Sequence, residues 1–278
     1  EETVDDLMIH AGGKVFVFSK RDGRLKYVRI GERTIHLGNG PRFIAARRAD
    51  RSLDQFYNHD DEKAKEKDRT YSEFPDAAVF TKLDVKEDGG NLVVTANYKL
   101  GNLDKAQWTI NPSGDLALDY TYNFSGVVDL MGIRFDYPED QVISKRWLGA
   151  GPYRVWQNRI HGTQYDVWEN DYNDPIPGET FTYPEFKGYF GDVSWMNIQT
   201  KEGTISLTNE TPDTYIGVYQ PRDGRDRLLY TLPESGISVL NVIPPVRNKV
   251  NSTDLCGPSS QPKWVNGPQT GRVIFRFM

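Results

Sequence analysis

The segment richest in groups that could hold or transform a ligand is Arg146-Trp-Leu-Gly-Ala-Gly-Pro-Tyr-Arg-Val-Trp-Gln-Asn-Arg-Ile-His161. It sets two Trp, one Tyr, three Arg, one Asn and one His around Gly-Ala-Gly-Pro. Flat aromatic faces take up the C–H surfaces of sugars, and Arg and Asn hydrogen-bond their hydroxyls. Glycines let the backbone approach a partner closely. The same composition also fits a structural role, with both Trp in a core and the arginines paired to acidic neighbours. Acid–base chemistry across a sugar ring needs a general acid and a general base, commonly His with Glu or Asp. Of His10, His36, His59 and His161, the plausible set is His161 with Glu185, Asp166 or Glu169. Elimination at a uronate would draw instead on Tyr153, Arg154, Asn158, Arg159 and His161.

The elements around this segment read as strands. In Asp115-Leu-Ala-Leu-Asp-Tyr-Thr-Tyr-Asn-Phe124, Leu116, Leu118, Tyr120, Tyr122 and Phe124 share one face, and Asp119, Thr121 and Asn123 share the other. That is the half-buried strand pattern. Leu92, Val94, Ala96, Tyr98 and Leu100 repeat it, and Leu83/Val85, Ile205/Leu207 and Val273/Phe275/Phe277 are shorter cases. Asn111-Pro-Ser-Gly114 reads as a turn. Val15-Phe-Val-Phe18 is continuously apolar, as in a strand buried on both faces or paired at a sheet centre. No amphipathic helical stretch exceeds two turns. The expected fold is all-β, a large antiparallel β-sandwich of many short strands. His59–Arg69 is almost wholly charged and reads as an exposed loop with local ion pairs. From about Trp147 to Trp195 the period-two pattern fades, and that length of connecting chain tends to carry function.

Composition limits the function classes. A 278-residue chain can bury a sizeable core, and all-β domains reach about 200–250 residues as one unit. Aromatics at 12% with 25 Gly and 16 Pro favour strands joined by turns. A formal net charge of −5 argues against nucleic acid, which is bound through clustered Lys and Arg. No apolar run approaches the roughly 18 residues of a membrane helix. The single cysteine, Cys256, allows no internal disulfide and no Cys-x-x-Cys metal site, and it reads as a small buried hydrophobe. No set of metal ligands stands out, and no cofactor is expected; a cation held by loop carbonyls leaves no mark in a sequence. The acidic start, Glu1-Glu2-Thr3-Val4-Asp5-Asp6, lacks the basic-then-apolar order of a signal peptide and reads as a processed product or an excised piece.

Two motifs resemble the C-terminal, galactose mutarotase-like domain of family 2 β-galactosidases. Trp147, Gly149, Gly151, Pro152 and Arg159 match its pattern Trp-aromatic-Gly-x-Gly-Pro-x-Glu-x-Tyr-x-Asp-Arg. Tyr183-Pro-Glu-Phe-Lys-Gly188 with Asp192-Val-Ser-Trp195 resembles the family's Pro-Gln-Glu-x-Gly followed by Val-Arg-Trp. Phe16-Val-Phe-Ser-Lys-Arg-Asp-Gly-Arg-Leu25 with Gly40-Pro-Arg-Phe43 is similar to the domain's first strands. The departures at polar positions are Arg154, Trp156 and Asn158, where the family has Glu, Tyr and Asp. They place the chain near a divergent branch attached to polysaccharide-degrading enzymes such as those of gut Bacteroidetes.

The resemblance implies a supersandwich, with residues 1–12 a tail and 13–278 one domain of a larger enzyme. It implies that the catalytic glutamates sit on an upstream (β/α)8 barrel, since this chain has no βα alternation. It further implies a carbohydrate partner, no catalytic residue here, and a periplasmic or extracellular location. The expected ligand-facing residues are Arg154, Trp156, Asn158, Arg159, His161 and Glu185. Trp264 joins them because the family has a sugar-lining aromatic near this end of the domain. A free-standing aldose 1-epimerase and the sandwich domain of a polysaccharide lyase stay open as alternatives.

Overall fold

The computed structural model describes residues 1–48, 71–171, 188–218, 235–245 and 257–278. The charged 59–69 segment, Glu185 and Cys256 lie outside the described residues. In chain order the strands begin with β1 (Asp6–Ala11), β2 (Lys14–Ser19), β3 (Leu25–Ile30), β4 (Arg33–Ile35), β5 (Gly38–Arg48) and β6 (Tyr71–Glu73). There follow β7 (Val79–Asp88), β8 (Asn91–Lys99), β9 (Leu103–Ile110), β10 (Leu116–Val128), β11 (Leu130–Asp136) and β12 (Val142–Gly151). The last are β13 (Gln164–Asp171), β14 (Trp195–Thr200), β15 (Gly203–Asn209), β16 (Tyr215–Val218), β17 (Ile237–Val242) and β18 (Lys263–Phe277). No α-helix occurs among the described residues. The expected tail is partly wrong: from Asp6 it is β1, paired antiparallel along β2.

The strands form two antiparallel sheets. Sheet one runs β1-β2-β3-β5-β11-β17-β16, with β4 on β3 and β6 on β5. Sheet two runs β13-β12-β14-β15-β18-β10-β9-β8-β7. Their inner faces share one apolar core. An aromatic chain crosses it: Phe18 to Trp108 at 5.9 Å, Trp108 to Phe135 at 6.1 Å, and Phe135 to Phe275 at 5.4 Å between ring centroids. These tilted and edge-to-face contacts suit the ring quadrupoles.

Alternation predicts the inner faces well. Leu116, Leu118, Tyr120, Tyr122 and Phe124 of β10 are buried, and Asn123 is exposed. Leu92, Val94, Ala96 and Tyr98 of β8 also face in, but Leu100 does not. The strand stops at Lys99, and Leu100 turns outward at φ 57°, 72% exposed. Val85 stays exposed on β7, the edge strand of sheet two. The Asn111–Gly114 turn forms as expected, with Gly114 at φ 79°, a conformation suited to glycine. The Asn111 side-chain oxygen accepts the Asp115 N–H at 2.9 Å and the Ser113 hydroxyl at 2.7 Å. Asn111→Ala should cost about 1 kcal/mol, read as a lower urea midpoint at unchanged slope; an unmoved midpoint contradicts it.

Sheet one carries a second layer. Ile44, Leu130 and Leu240 point away from the main core, yet all are fully buried. Val155, Trp156, Tyr189 and Ile243 pack with them in a separate apolar cluster. The chain that follows β12 therefore crosses the outer face of sheet one and covers it.

Candidate functional site

The Arg146–His161 segment is built from three local structures. Its first part is strand, where an irregular connection was expected. β12 pairs with β13 from Ser144↔Asp171 to Gly151↔Gln164, and with β14 on its other side. Trp147 is buried in the main core, edge-on to Phe190 at 4.9 Å, with its indole N–H donated to the Ala150 carbonyl at 3.1 Å. After Gly151 the chain leaves sheet two. Val155 and Tyr189 exchange backbone hydrogen bonds at 2.8 and 2.9 Å, and Phe190 does the same with Ile216 of β16, both at 2.9 Å. The Ala150 N–H donates to Gly191 at 2.9 Å. This ladder ties sheet two to sheet one along one side of the sandwich.

The third part is a tight turn, Trp156-Gln157-Asn158-Arg159. Trp156 N–H donates to the Arg159 carbonyl at 3.3 Å, and Arg159 N–H returns to Trp156 at 2.9 Å. Gln157 clamps the turn to chain about a hundred residues away. Its amide nitrogen donates to the carbonyls of Ser259 at 2.8 Å and Gln261 at 2.7 Å. Its backbone N–H donates to Pro244 at 3.0 Å. Beside it, the Asn158 amide donates to the Ser260 hydroxyl at 2.9 Å. Ser259 and Ser260 belong to a single 3₁₀ turn, Pro258–Ser260, which leads into β18 and Trp264. Asn158 and the segment carrying Trp264 are thus neighbours in the fold.

Two expected ligand-facing residues are not at the surface. Trp156 is 0% exposed, its ring edge-on to Tyr189 at 5.7 Å, so no sugar can stack on it. Arg154 is 4% exposed, with its guanidinium 5.0 Å from the centre of the Phe190 ring. Trp156 belongs to the layer that covers sheet one, and Arg154 packs over Phe190. Asn158 is half-buried, Arg159 and His161 are exposed, and Trp264 is 70% exposed on β18. Gln157 is the residue that sequence reading passed over. Lying between Trp156 and Asn158, it carries no mark that distinguishes it from an ordinary polar side chain.

The two acid–base and elimination sets fare differently. Asp166 and Glu169 lie on β13, both exposed, three residues apart and so on opposite faces of that strand. Asp166 spends one carboxylate oxygen on the Val167 N–H at 2.7 Å. Of the lyase-type set, Arg154 is buried while Tyr153, Arg159 and His161 are exposed. Among the described residues, no cluster of three or more His, Cys, Asp and Glu could hold a metal ion, and no helix is long and apolar enough to cross a membrane.

Comparison with solved structures places the fold. Galactose 1-epimerase from Lactobacillus acidophilus NCFM aligns over 98% of this chain and 94% of its own, at 9% identity and a TM-score of 0.50. A galactose mutarotase-like protein from Lactobacillus casei ATCC 334 aligns over 98% of this chain and 100% of its own, at 9% identity and a TM-score of 0.41. At such identities the likeness concerns the fold alone. The two-sheet architecture is that of a galactose mutarotase-like β-sandwich. The family described as beta galactosidase small chain matches residues 10–244, and this chain belongs to it. No curated protein sequence matches the chain.

Proposed function

We propose that the chain is a non-catalytic domain of a β-galactosidase-like glycoside hydrolase. In this reading it shapes the carbohydrate-binding cleft of a barrel on the same polypeptide. One observation carries it: the Gln157 clamp fixes the Trp156–Arg159 turn against the segment that leads to Trp264. This gives a rigid rim with Asn158, Arg159, His161 and the exposed Trp264 ring as groups for hydroxyls and for a sugar face. A rim held by hydrogen bonds to another segment suits the wall of a cleft, because preorganised groups lose little freedom on binding. Family membership supports a multidomain carbohydrate-acting enzyme as the setting. A periplasmic or extracellular location goes with the proposal.

The epimerase alternative has the fold in its favour. Against it, His161 stands in an exposed turn and makes no hydrogen bond or ion pair with Asp166, Glu169 or any other described carboxylate. An acid and a base must instead converge on one ring. The purified chain should therefore show no turnover of nitrophenyl β-galactoside. Polarimetry should show galactose mutarotating at the rate of buffer. Hydrolysis of the galactoside would overturn the non-catalytic reading, and accelerated mutarotation would replace it with the epimerase one.

A further inference from the structure

A groove of about 620 Å³ lies on the outer face of sheet two. Its floor is formed by Lys105 and Gln107 of β9, Asp119 and Thr121 of β10, and Thr270 and Arg272 of β18. The strand registers set these residues side by side: Asp119 is opposite both Arg272 and Gln107, and Thr121 is opposite both Thr270 and Lys105. Glu210-Thr211-Pro212 forms a wall. The wall is pinned to the floor. Arg272 N–H donates to the Thr211 hydroxyl at 2.7 Å, Thr211 donates back to the Arg272 carbonyl at 3.1 Å, and Glu210 N–H donates to the same carbonyl at 3.1 Å.

The centre of the groove is an ion network. Asp119 holds the Arg272 guanidinium at 2.6 Å, and Glu210 holds it at 2.9 Å. Burial works against the Arg272 charge, but Asp119 and then Glu210 outweigh it and keep its pKa above the ordinary arginine value. This network fixes the groove's shape. Around it, the side chains of Lys105, Gln107, Thr121 and Thr270 make no hydrogen bond or ion pair with another described residue. They offer both donors and acceptors. The charges in the lining balance, Lys105 and Arg272 against Asp119 and Glu210. A neutral ligand rich in hydroxyls matches such a lining; a strongly anionic or cationic one meets like charge.

We infer that this groove binds a neutral oligosaccharide, with Gln107, Thr121 and Thr270 hydrogen-bonding its ring hydroxyls over a floor held by Asp119, Arg272 and Glu210. The inference rests on the reading that the chain serves a carbohydrate-acting enzyme. It concerns other residues than the Trp156–Arg159 rim. Trp264 is on the same face of β18 but eight residues from Arg272, about 27 Å at the rise of an antiparallel strand. A short oligosaccharide in the groove does not reach it.

Calorimetric titration of the full chain tests this. The probes are β-1,4-galactotetraose, cellotetraose and xylotetraose, with tetragalacturonate as the acidic control. At least one neutral probe should bind. The double substitution Gln107→Ala with Thr121→Ala should weaken that probe tenfold or more, and Glu87→Ala, exposed on β7 outside the groove lining, should change it less than twofold. Both positions are part-exposed, and an unchanged far-ultraviolet spectrum shows that the double variant is folded. No binding of any neutral probe, binding that survives the double variant, or tighter binding of tetragalacturonate overturns the inference. Binding that survives the double variant but is lost in Trp264→Ala overturns the groove and leaves the cleft reading standing.

Discussion

Truncating Trp156 to Ala should lower the unfolding free energy by about 3–5 kcal/mol, the range for a buried Trp or Phe. The ring is fully buried, packs edge-on to Tyr189, and belongs to the layer that covers Ile44, Leu130 and Leu240. Its removal leaves a cavity between that layer and sheet one, and the cavity adds to the lost transfer energy. Urea unfolding is the measurement, and the midpoint should fall at unchanged slope. Trp264→Ala is the matched control. With 70% of that residue exposed, its stability change should stay within about 0.5 kcal/mol. Equal small changes in the two variants would mean that Trp156 does not carry the covering layer. The pair also separates two placements of tryptophan: the Trp156 ring is core, and the Trp264 ring stays exposed on β18.

The second large effect is expected at Gly188. The chain passes here beneath the Val155–Trp156 backbone, and a Cβ at this position would run into the Val155 carbonyl oxygen. The Trp156 indole nitrogen would be 2.9 Å away. Neither obstacle can swing aside, because one is backbone held by the two Val155–Tyr189 hydrogen bonds and the other is a ring without free space. Gly188→Ala should therefore cost about 1–3 kcal/mol through overpacking. Gly257→Ala is the control, since a Cβ there meets nothing within 4 Å and its φ of −63° suits any residue. Melting temperatures of the two variants decide it. A Gly188→Ala protein as stable as Gly257→Ala would show that the crossing is looser than the geometry implies. Where Gly188→Ala does shift the crossing, the Trp156–Arg159 turn shifts with it, and the proposed cleft wall loses its shape.

Strand faces were legible where a strand has a core on one side and water on the other. β10 is the clear case, with Tyr120 and Tyr122 inside and Asn123 outside. β12 and β13 were missed for physical reasons. β12 buries Lys145 and three small residues, Gly149, Ala150 and Gly151, so its buried positions are not all apolar. β13 is an edge strand exposed over most of its length, and nothing selects one face of it for apolar side chains. The 1–12 tail was misjudged likewise, because β1 is short and also at an edge.

For the candidate site, the residue types were legible and the depth of each was not. Arg159, His161 and Trp264 are exposed and Asn158 is half-buried, whereas Arg154 and Trp156 are inside. An aromatic in a Gly- and Pro-rich segment reads the same whether it faces solvent or packs under another strand.

Local pattern sets the class of the molecule: alternating aromatic strands and turn residues for a sandwich, and the Trp147–Arg159 pattern for the family. Tertiary packing alone sets which aromatic is core and which stays exposed. Only it revealed that Gln157 locks one turn to Ser259 and Gln261, and that Arg272 stands between Asp119 and Glu210. Local periodicity records which face of a strand is dry. It carries no record of which distant segment lies across that face, because that is set by contacts between residues more than a hundred positions apart.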